Sequence, residues 1–428
     1  MNLDDVIREL GLSDSREALS VEWEESQQAM PRGEVPFLTA DFVAGACTGV
    51  FLPDEISARA VSAARKITAV PALRALAWHC HWCFYRSQVF SPGSADAWPV
   101  PQAALDDDAG MFYLLVLISH VPRMQAAHRA RGLPEKAIRE SVAEIHDRGV
   151  MNAERLGAWG LSAHDARWLT NILRDELHRL GRLSFQSRTL DGGVLPFRIY
   201  RRRRSSEVAA LCLDGVGFCD NGHRPAPGTD AAEPTWRSRL AVREDEIVGN
   251  PVLPTGVAVR DEVRLDASEW SQELAPGDAV LVFHIPGGQP LDHERCGESF
   301  RRAREFFPRY FPDWPFRAFW TSSWILDTNL ERWLAPESNL VRFQREFYLV
   351  PGAIRPTSLF RGVFDRTPED MATAARETAL QRAILDDIAD GNPYRPHAGR
   401  GFLLPEDLDW GAQVYRKSRF PHDLVPHR

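Results

Sequence analysis

Apolar positions in the first 180 residues recur at helical spacing. Leu3, Val6, Ile7 and Leu10 share one face, and Gly11 supplies a C-terminal stop. The pattern predicts a helix from 54 to about 67, after Pro53, and another from 72 to about 90, with Leu73, Leu76, Ala77, Cys80 and Phe84 on one face. The run MFYLLVLISHV at 111–121 is apolar throughout; it reads as a buried helix, although periodicity alone leaves a strand open. Pro134 opens a further helix at its first turn. Ser162 and Asp165 form a capping pair for a helix ending near Leu180, striped by Leu169, Ile172, Leu173, Leu177 and Leu180, with Gly181 just beyond. The block reads as all α.

After Gly181 the period changes to two. LSFQSRTL and VLPFRIYRRRR flank Asp191-Gly192-Gly193 and predict a hairpin. EVAALCL at 207–213 is a strand pattern, 214–254 lacks periodicity and reads as a long loop or insertion, and GVAVRDEVRLD alternates as a strand. Pro276-Gly277-Asp278 turns the chain into an apolar strand at 280–283. A long amphipathic helix is capped by Asp292 and buries Phe300, Ala303, Phe307, Tyr310 and Phe311. A strand is expected at 316–320, a short helix boxed by Thr328 and Glu331, and a strand at 340–350 with Val341, Phe343, Phe347 and Leu349 on one face. Thr367-Pro368-Glu369-Asp370 opens another helix, lined by Leu380, Ile384, Leu385 and Ile388 and ended by Gly391; the tail from 392 is irregular.

Composition sets the class. At 428 residues the chain exceeds one core, so two domains are expected, 1–180 and 181–428. A net charge of −8 gives no case for nucleic acid or an anionic membrane. No apolar run approaches the roughly 20 residues that span a bilayer. The acidic N-terminus is not a secretory signal. Six irregularly spaced cysteines suggest reduced thiols and a cytoplasmic location.

Three features invite chemistry. Trp78-His79-Cys80-His81-Trp82-Cys83 mixes metal ligands, but on a helix only His79 and Cys83 share a face, so no metal is assigned. Four arginines at 201–204 divide between two strand faces and read as a solvated edge rather than a phosphate site. The third feature is the stretch 279–311. An apolar strand ends in His284, a turn with Pro286, Gly287, Gly288 and Pro290 follows, and the long helix begins. A strand delivering a polar residue to a glycine turn is a common way to build a binding site.

The succession of strand, loop, long helix, strand, short helix and strand resembles the acyl-CoA-binding half of the GNAT acyltransferases. The phrases HIPGGQPL, FFPRYFP, SWILD and PESNLVRFQREF, concentrated between 277 and 347, resemble a bacterial two-domain acyltransferase family whose likeness covers most of the chain. That resemblance implies an α+β protein: an all-helical N-terminal domain, then a GNAT-like mixed α/β sheet domain. It further implies transfer of an acyl group from a thioester co-substrate, acyl-CoA or an acyl-phosphopantetheine, to an amine of a small molecule. The backbone at His284 and Ile285 would pair with the pantetheine arm, and the amides of Gly287, Gly288 and Gln289 would face the pyrophosphate. Pro286 and Pro290 remove two donors there, and Asp292 and Glu294 add negative charge, which Arg295, Arg301 or Arg302 would have to offset. An acyl carrier protein as partner would demand less of that loop.

For the chemistry, His284 is the candidate base, against a plain loop-anchoring histidine. Ser322 and Ser323 could hold a thioester oxygen or cap the short helix, and Trp324 could orient a substrate or sit in the core. Asp327 could take a substrate amine or serve as an N-cap. Cys296 lies inside the helix without a histidine partner and is not a nucleophile. Two rivals remain: acyl transfer to or from a carrier protein's pantetheine thiol, and a non-catalytic thioester- or partner-binding protein.

Overall fold

In the computed structural model, which describes residues 1–12, 15–191, 193, 195–225, 233–352, 355–364, 367, 371–392 and 394–418, the N-terminal period becomes helices Leu3–Leu10, Asp54–Ala69, Pro71–Tyr85, Ala109–Ile118, Glu135–Leu156 and Ala163–Leu173. The chain divides into two compact units: Met1–Leu180 with Pro286–Gln289, and Gly181–Ile285 with Pro290–Arg428.

In the first unit the end signals work as the residue types dictate. Gly11 takes φ 65° and closes its helix; Ser162 and Asp165 form a reciprocal capping box. Ala109–Ile118 is a helix buried on nearly every side, which settles the choice left open by its unbroken apolar run. Two expected helices are too long. Pro71–Tyr85 stops five residues short of 90, where the N–H groups of Arg86 and Ser87 both close on the Trp82 carbonyl. The helix expected to reach Leu180 ends at Leu173. Asp175 turns left-handed (φ 65°), and Leu177–Leu180 is a strand, so the block is not wholly helical. Leu177 and Leu180 are buried all the same, because a buried strand satisfies an apolar pattern as well as a helix does.

His79 and His81 hydrogen-bond Ser26 (2.9 Å) and Ser119 (2.7 Å), and Cys83 Sγ lies 3.5 Å from His79 Nε2. Among the described residues no group of three His, Cys, Asp or Glu stands as a metal set, and no helix is long and apolar enough to cross a membrane. Burial pushes His79 and His81 down to about 3, and His178 down to about 4. Below pH 6.5 the unfolded chain takes up protons that these rings refuse in the folded state. Stability is therefore complete above pH 6.5 and lost as pH falls toward 4, by up to about 1.4 kcal/mol per pH unit for each histidine. Tm measured across that window should fall steeply; a flat profile would contradict it.

Among the described residues the second unit holds two larger sheets and two small ones, of three and two short strands. Five of its strands, β1 (Leu183–Thr189), β2 (Ala279–His284), β3 (Ala318–Asp327), β4 (Tyr348–Pro351) and β5 (Ala398–Leu403), lie side by side in the order β1-β2-β3-β5-β4. β2 and β3 run parallel, and the other neighbours are antiparallel. The long helix His293–Tyr310 packs Phe300 and Phe307 on one face of this sheet against Phe185. A smaller sheet has the order Val257–Ala258, Pro251–Leu253, Val208–Cys212, Phe197–Arg202, Trp270–Leu274.

Several expectations are corrected here. The strands flanking 191–193 do not pair; β1 joins β2, and Phe197–Arg202 pairs with Val208–Cys212. Gly192 of the proposed turn and Val194 of the strand expected after it lie outside the described residues. The 214–254 stretch contains short strands rather than a structureless loop. Residues 339–345 are helical, because Ser338 caps them through the Val341 N–H (3.3 Å), and the strand starts only at Tyr348. Thr328 and Glu331 form no box: the Glu331 carboxylate goes to Arg345 (2.7 Å) and Arg416 (2.8 Å). The next helix is Ala379–Ala389, boxed by Thr378 and Gln381; Pro368, Glu369 and Asp370 lie outside the described residues. The tail, read as irregular, supplies β5. The arginine run, expected as a solvated edge, is corrected as well: Phe197–Arg202 lies between Val208–Cys212 and Trp270–Leu274, Arg201 binds Asp407 through two hydrogen bonds and Arg202 pairs with Glu207 and Glu269.

Candidate functional site

The parallel pair β2 and β3 stays in register only for Val280↔Ala318, Leu281↔Phe319 and Val282↔Trp320. Beyond that point the Thr321 hydroxyl donates to the Phe283 carbonyl (3.0 Å), and the ladder ends. His284 stands at this parting. On the other side of β3 the register with β5 jumps from Ser322↔Arg400 to Asp327↔Ala398, so four residues of β3 face one of β5. Residues 323–326 are thus a bulge inside a strand that is otherwise paired, which re-aims side chains locally.

Faces follow from alternation. Phe185, Phe283 and Phe319 meet Phe300 of the long helix, so Ser184, Gln186, His284, Trp320 and Ser322 lie on the opposite face. His284 Nε2 is 3.2 Å from Gln186 Oε1; the N–H donating there leaves Nδ1 as the basic nitrogen. Burial, and then the charge of Arg188, push His284 down to about 4, so its ring is neutral at physiological pH. Ser184, opposite His284 in the ladder, and Gln186 are both buried. The Ser184 hydroxyl and the Gln186 amide nitrogen find no partner among the described residues. Buried polar atoms of this kind are rare in finished cores and common where a ligand completes the set.

The other expected residues are dispersed around this point. Ser322 and Ser323 sit within β3, so neither caps a helix; Ser322 is exposed and Ser323 Oγ accepts the Ile325 N–H at 3.4 Å. Trp324 lays its indole on Gly362 of the helix Thr357–Phe364, where an added Cβ would come within 2.1 Å of Nε1. It packs with Leu330, Leu359 and Phe360, which favours the packing role over substrate contact. Asp327 is buried and accepts from Tyr394 Oη (2.5 Å), the Asn329 N–H (2.9 Å) and the His397 N–H (3.2 Å); burial still raises it to about 6. It is a structural hub rather than an open receptor. Ile285 is half-buried. Gly287, Gly288 and Gln289 group with the first unit, in which Gly287 lies against Met151. Cys296 is buried and its thiol is pushed up to about 12, as befits a residue without a nucleophilic role.

Three supports of the site were not evident from sequence. Arg182, only 3% exposed, donates from Nε to the Pro290 carbonyl (2.9 Å) and so fixes the approach to the long helix. The Trp410 ring fills the space a side chain at Gly297 would need, and its N–H donates to the His293 carbonyl (2.8 Å). His293 Nε2 meets Glu346 Oε1 at 3.0 Å. At the helix start, Asp292 accepts the Arg295 N–H (2.8 Å), so one of the amides that could meet an anion is already used.

The sequence matches the GNAT-like C-terminal domain family over residues 177–403 and the N-acyltransferase N-terminal domain family over residues 41–174. Among solved structures, an acyltransferase mutant in complex with octanoyl-CoA is similar at 22% identity and a TM-score of 0.60, covering 94% of this chain and 99% of that one. An acyltransferase in complex with decanoyl-CoA and teicoplanin gives the same values, and one with CoA and 10C-teicoplanin gives 21% and 0.58 at the same coverage. At such identities the likeness shows the fold. No curated protein matches the chain.

Proposed function

The chain belongs to the acyltransferase family that joins an N-acyltransferase N-terminal domain to a GNAT-like C-terminal domain, and on that premise we propose that it moves an acyl group from acyl-CoA to an amine of a small molecule. The observation that carries this reading is the parting of β2 and β3 at His284, beside the Ser184 hydroxyl and the Gln186 amide nitrogen, which have no partner among the described residues. A pantetheine arm is itself a run of amides and can enter such a wedge as an extra strand. Ile285, Gly287, Gly288 and Gln289 follow directly in the chain and carry the donor side. Acyl-CoA in the similar structures supports the donor class, and teicoplanin in one of them supports a small-molecule acceptor.

In this reading the amine nitrogen attacks the thioester carbonyl carbon, the new C–N bond forms, and the C–S bond breaks to release the thiolate. His284 accepts the proton the nitrogen sheds and returns it to the departing sulfur. A weakly basic, neutral ring suffices, because the nitrogen becomes acidic once it is bonded to carbon. Ser322, exposed on the same face, is placed to donate to the carbonyl oxygen; Ser323 and Trp324 shape the bulge beside it. All six cysteines are free thiols, which supports a reducing compartment, and we place the reaction in a bacterial cytoplasm.

One observation favours a second reading. Asp292 caps its own helix, which suits a donor carried on a phosphopantetheinyl carrier protein, with fewer phosphates to hold, better than free CoA. A panel of acyl-CoAs and amines, scored by thiol release and product mass, tests the first reading. Acylated carrier protein without amine product would replace it with the second, and donor binding without any product would reduce the protein to a thioester binder.

A further inference from the structure

The first unit holds a cavity of about 420 Å³ among three of its helices. Helix Val121–Arg131 ends at Gly132, whose left-handed turn (φ 66°) lets the Leu133 N–H close on the His128 carbonyl (3.0 Å). Gln125, His128 and Arg129 stand at i, i+3 and i+4, so they share the face of that helix that meets the cavity. Helix Glu135–Leu156 sets Ile138 against the same space, and Phe51, just past helix Ala40–Gly49, closes another side.

The protein itself holds these walls in place. Phe51 takes a left-handed backbone (φ 57°), rare for a bulky residue, and its ring is left 40% exposed. The Arg139 guanidinium lies 3.8 Å over that ring, and Arg139 Nε donates to Glu135 Oε1 (2.8 Å). Gln125 packs so closely on Gly49 that a Cβ there would come within 2.5 Å of its Nε2. One lining group is different. His128 is only 4% exposed, and its Nε2 stands 3.1 Å from Asp175 Oδ1, whose carboxylate accepts Arg131 Nε through its other oxygen (3.0 Å). His128 Nδ1 is buried and has no hydrogen-bond partner among the described residues. Such an atom costs free energy until something supplies its hydrogen bond.

A volume of this size lies within the range of small-molecule sites and well above the roughly 150 Å³ that admits benzene. Phe51, Leu133 and Ile138 make its walls apolar, and a ring can meet Phe51 edge to face. Arg129 and Glu135 both line it, so their charges offset and favour neither an anion nor a cation. A hydroxyl both donates and accepts, and therefore satisfies Nδ1 in either tautomer of the imidazole. We propose that this cavity binds a small uncharged aromatic alcohol of the phenol class, its ring among Phe51, Leu133 and Ile138 and its hydroxyl on His128 Nδ1. The site stands apart from the acyl-transfer reading and does not depend on it.

The full chain is titrated with 4-fluorophenol and with fluorobenzene, the same ring without the hydroxyl, and read by fluorine NMR. The expected result is saturable binding of 4-fluorophenol at one site, with fluorobenzene weaker by about tenfold or more. In His128→Leu the advantage of the phenol should collapse toward one while fluorobenzene binds no worse. Ile138→Trp places an indole in the cavity and should abolish binding of both. The two ligands are compared on the unaltered protein first, so a His128→Leu chain that fails to fold leaves the decision to that comparison and to Ile138→Trp. Equal affinity for the two ligands would overturn the role of His128 and with it the proposal. Binding that survives Ile138→Trp, or no saturable binding of either ligand, would overturn the site itself.

Discussion

Phe300→Ala is expected to lower the unfolding free energy by about 4 kcal/mol. The ring is fully buried, and its centroid lies 5.0 Å from those of Phe319 and Trp410, 5.1 Å from Phe283, 5.5 Å from Phe185 and 5.8 Å from Phe347. These neighbours come from three strands, the helix-to-strand junction at 347 and the chain after β5, and none can collapse into the void without giving up its own partners. The loss is therefore a transfer term plus most of a cavity term. Urea denaturation of the full chain should show a lower midpoint at nearly unchanged slope. A loss under about 1.5 kcal/mol would mean the aromatic cluster repacks freely.

His284→Ala is expected to cut kcat for amine acylation about a hundredfold or more, with KM for acyl-CoA nearly unchanged. The ring is half-buried at the end of β2, outside the aromatic cluster around Phe300, so stability should fall far less than in Phe300→Ala. Because burial and Arg188 hold the ring near 4, the rate should show no histidine step around pH 6.5. Below about 4 the ring protonates and the base is lost. The slope through neutral pH should instead follow the acceptor's own amine. Gln186→Leu, which removes the acceptor for Nε2–H, should lower kcat less steeply and reposition the ring rather than delete it. Thiol release persisting unchanged in His284→Ala would end the base assignment.

The legible parts were those where local chemistry and tertiary packing agree. Asp292 caps the long helix through the Arg295 N–H, Gly11 closes the first helix, and β2 is a short apolar run buried as written. The illegible parts were those where packing overrides local pattern. Val341, Phe343 and Phe347 alternate as a strand would, yet Ser338 starts a helix there and the three rings and methyls still reach the core. TSSWILD was divided between a strand and a helix cap because its bulge interrupts the alternation. β5 carries glycines where strand residues usually have bulk. The reason lies in its neighbours: a Cβ at Gly401 would stand 3.1 Å from Leu326 and 3.2 Å from Leu349 and Phe347. Nor did anything in the aperiodic run around His223 foretell that its ring would stack on His397, just before β5.

The placement of β5 has a consequence for how the unit is made. It follows β4 in the chain yet lies between β3 and β4, so these two cannot complete their ladders until a later segment threads the gap. Contacts so distant in sequence close slowly, and until they form, β3 offers an open edge beside the parting at His284. The wedge that would admit a thioester is thus among the last parts of the molecule to become rigid, and a chain halted before β5 would expose an aggregation-prone edge in its place.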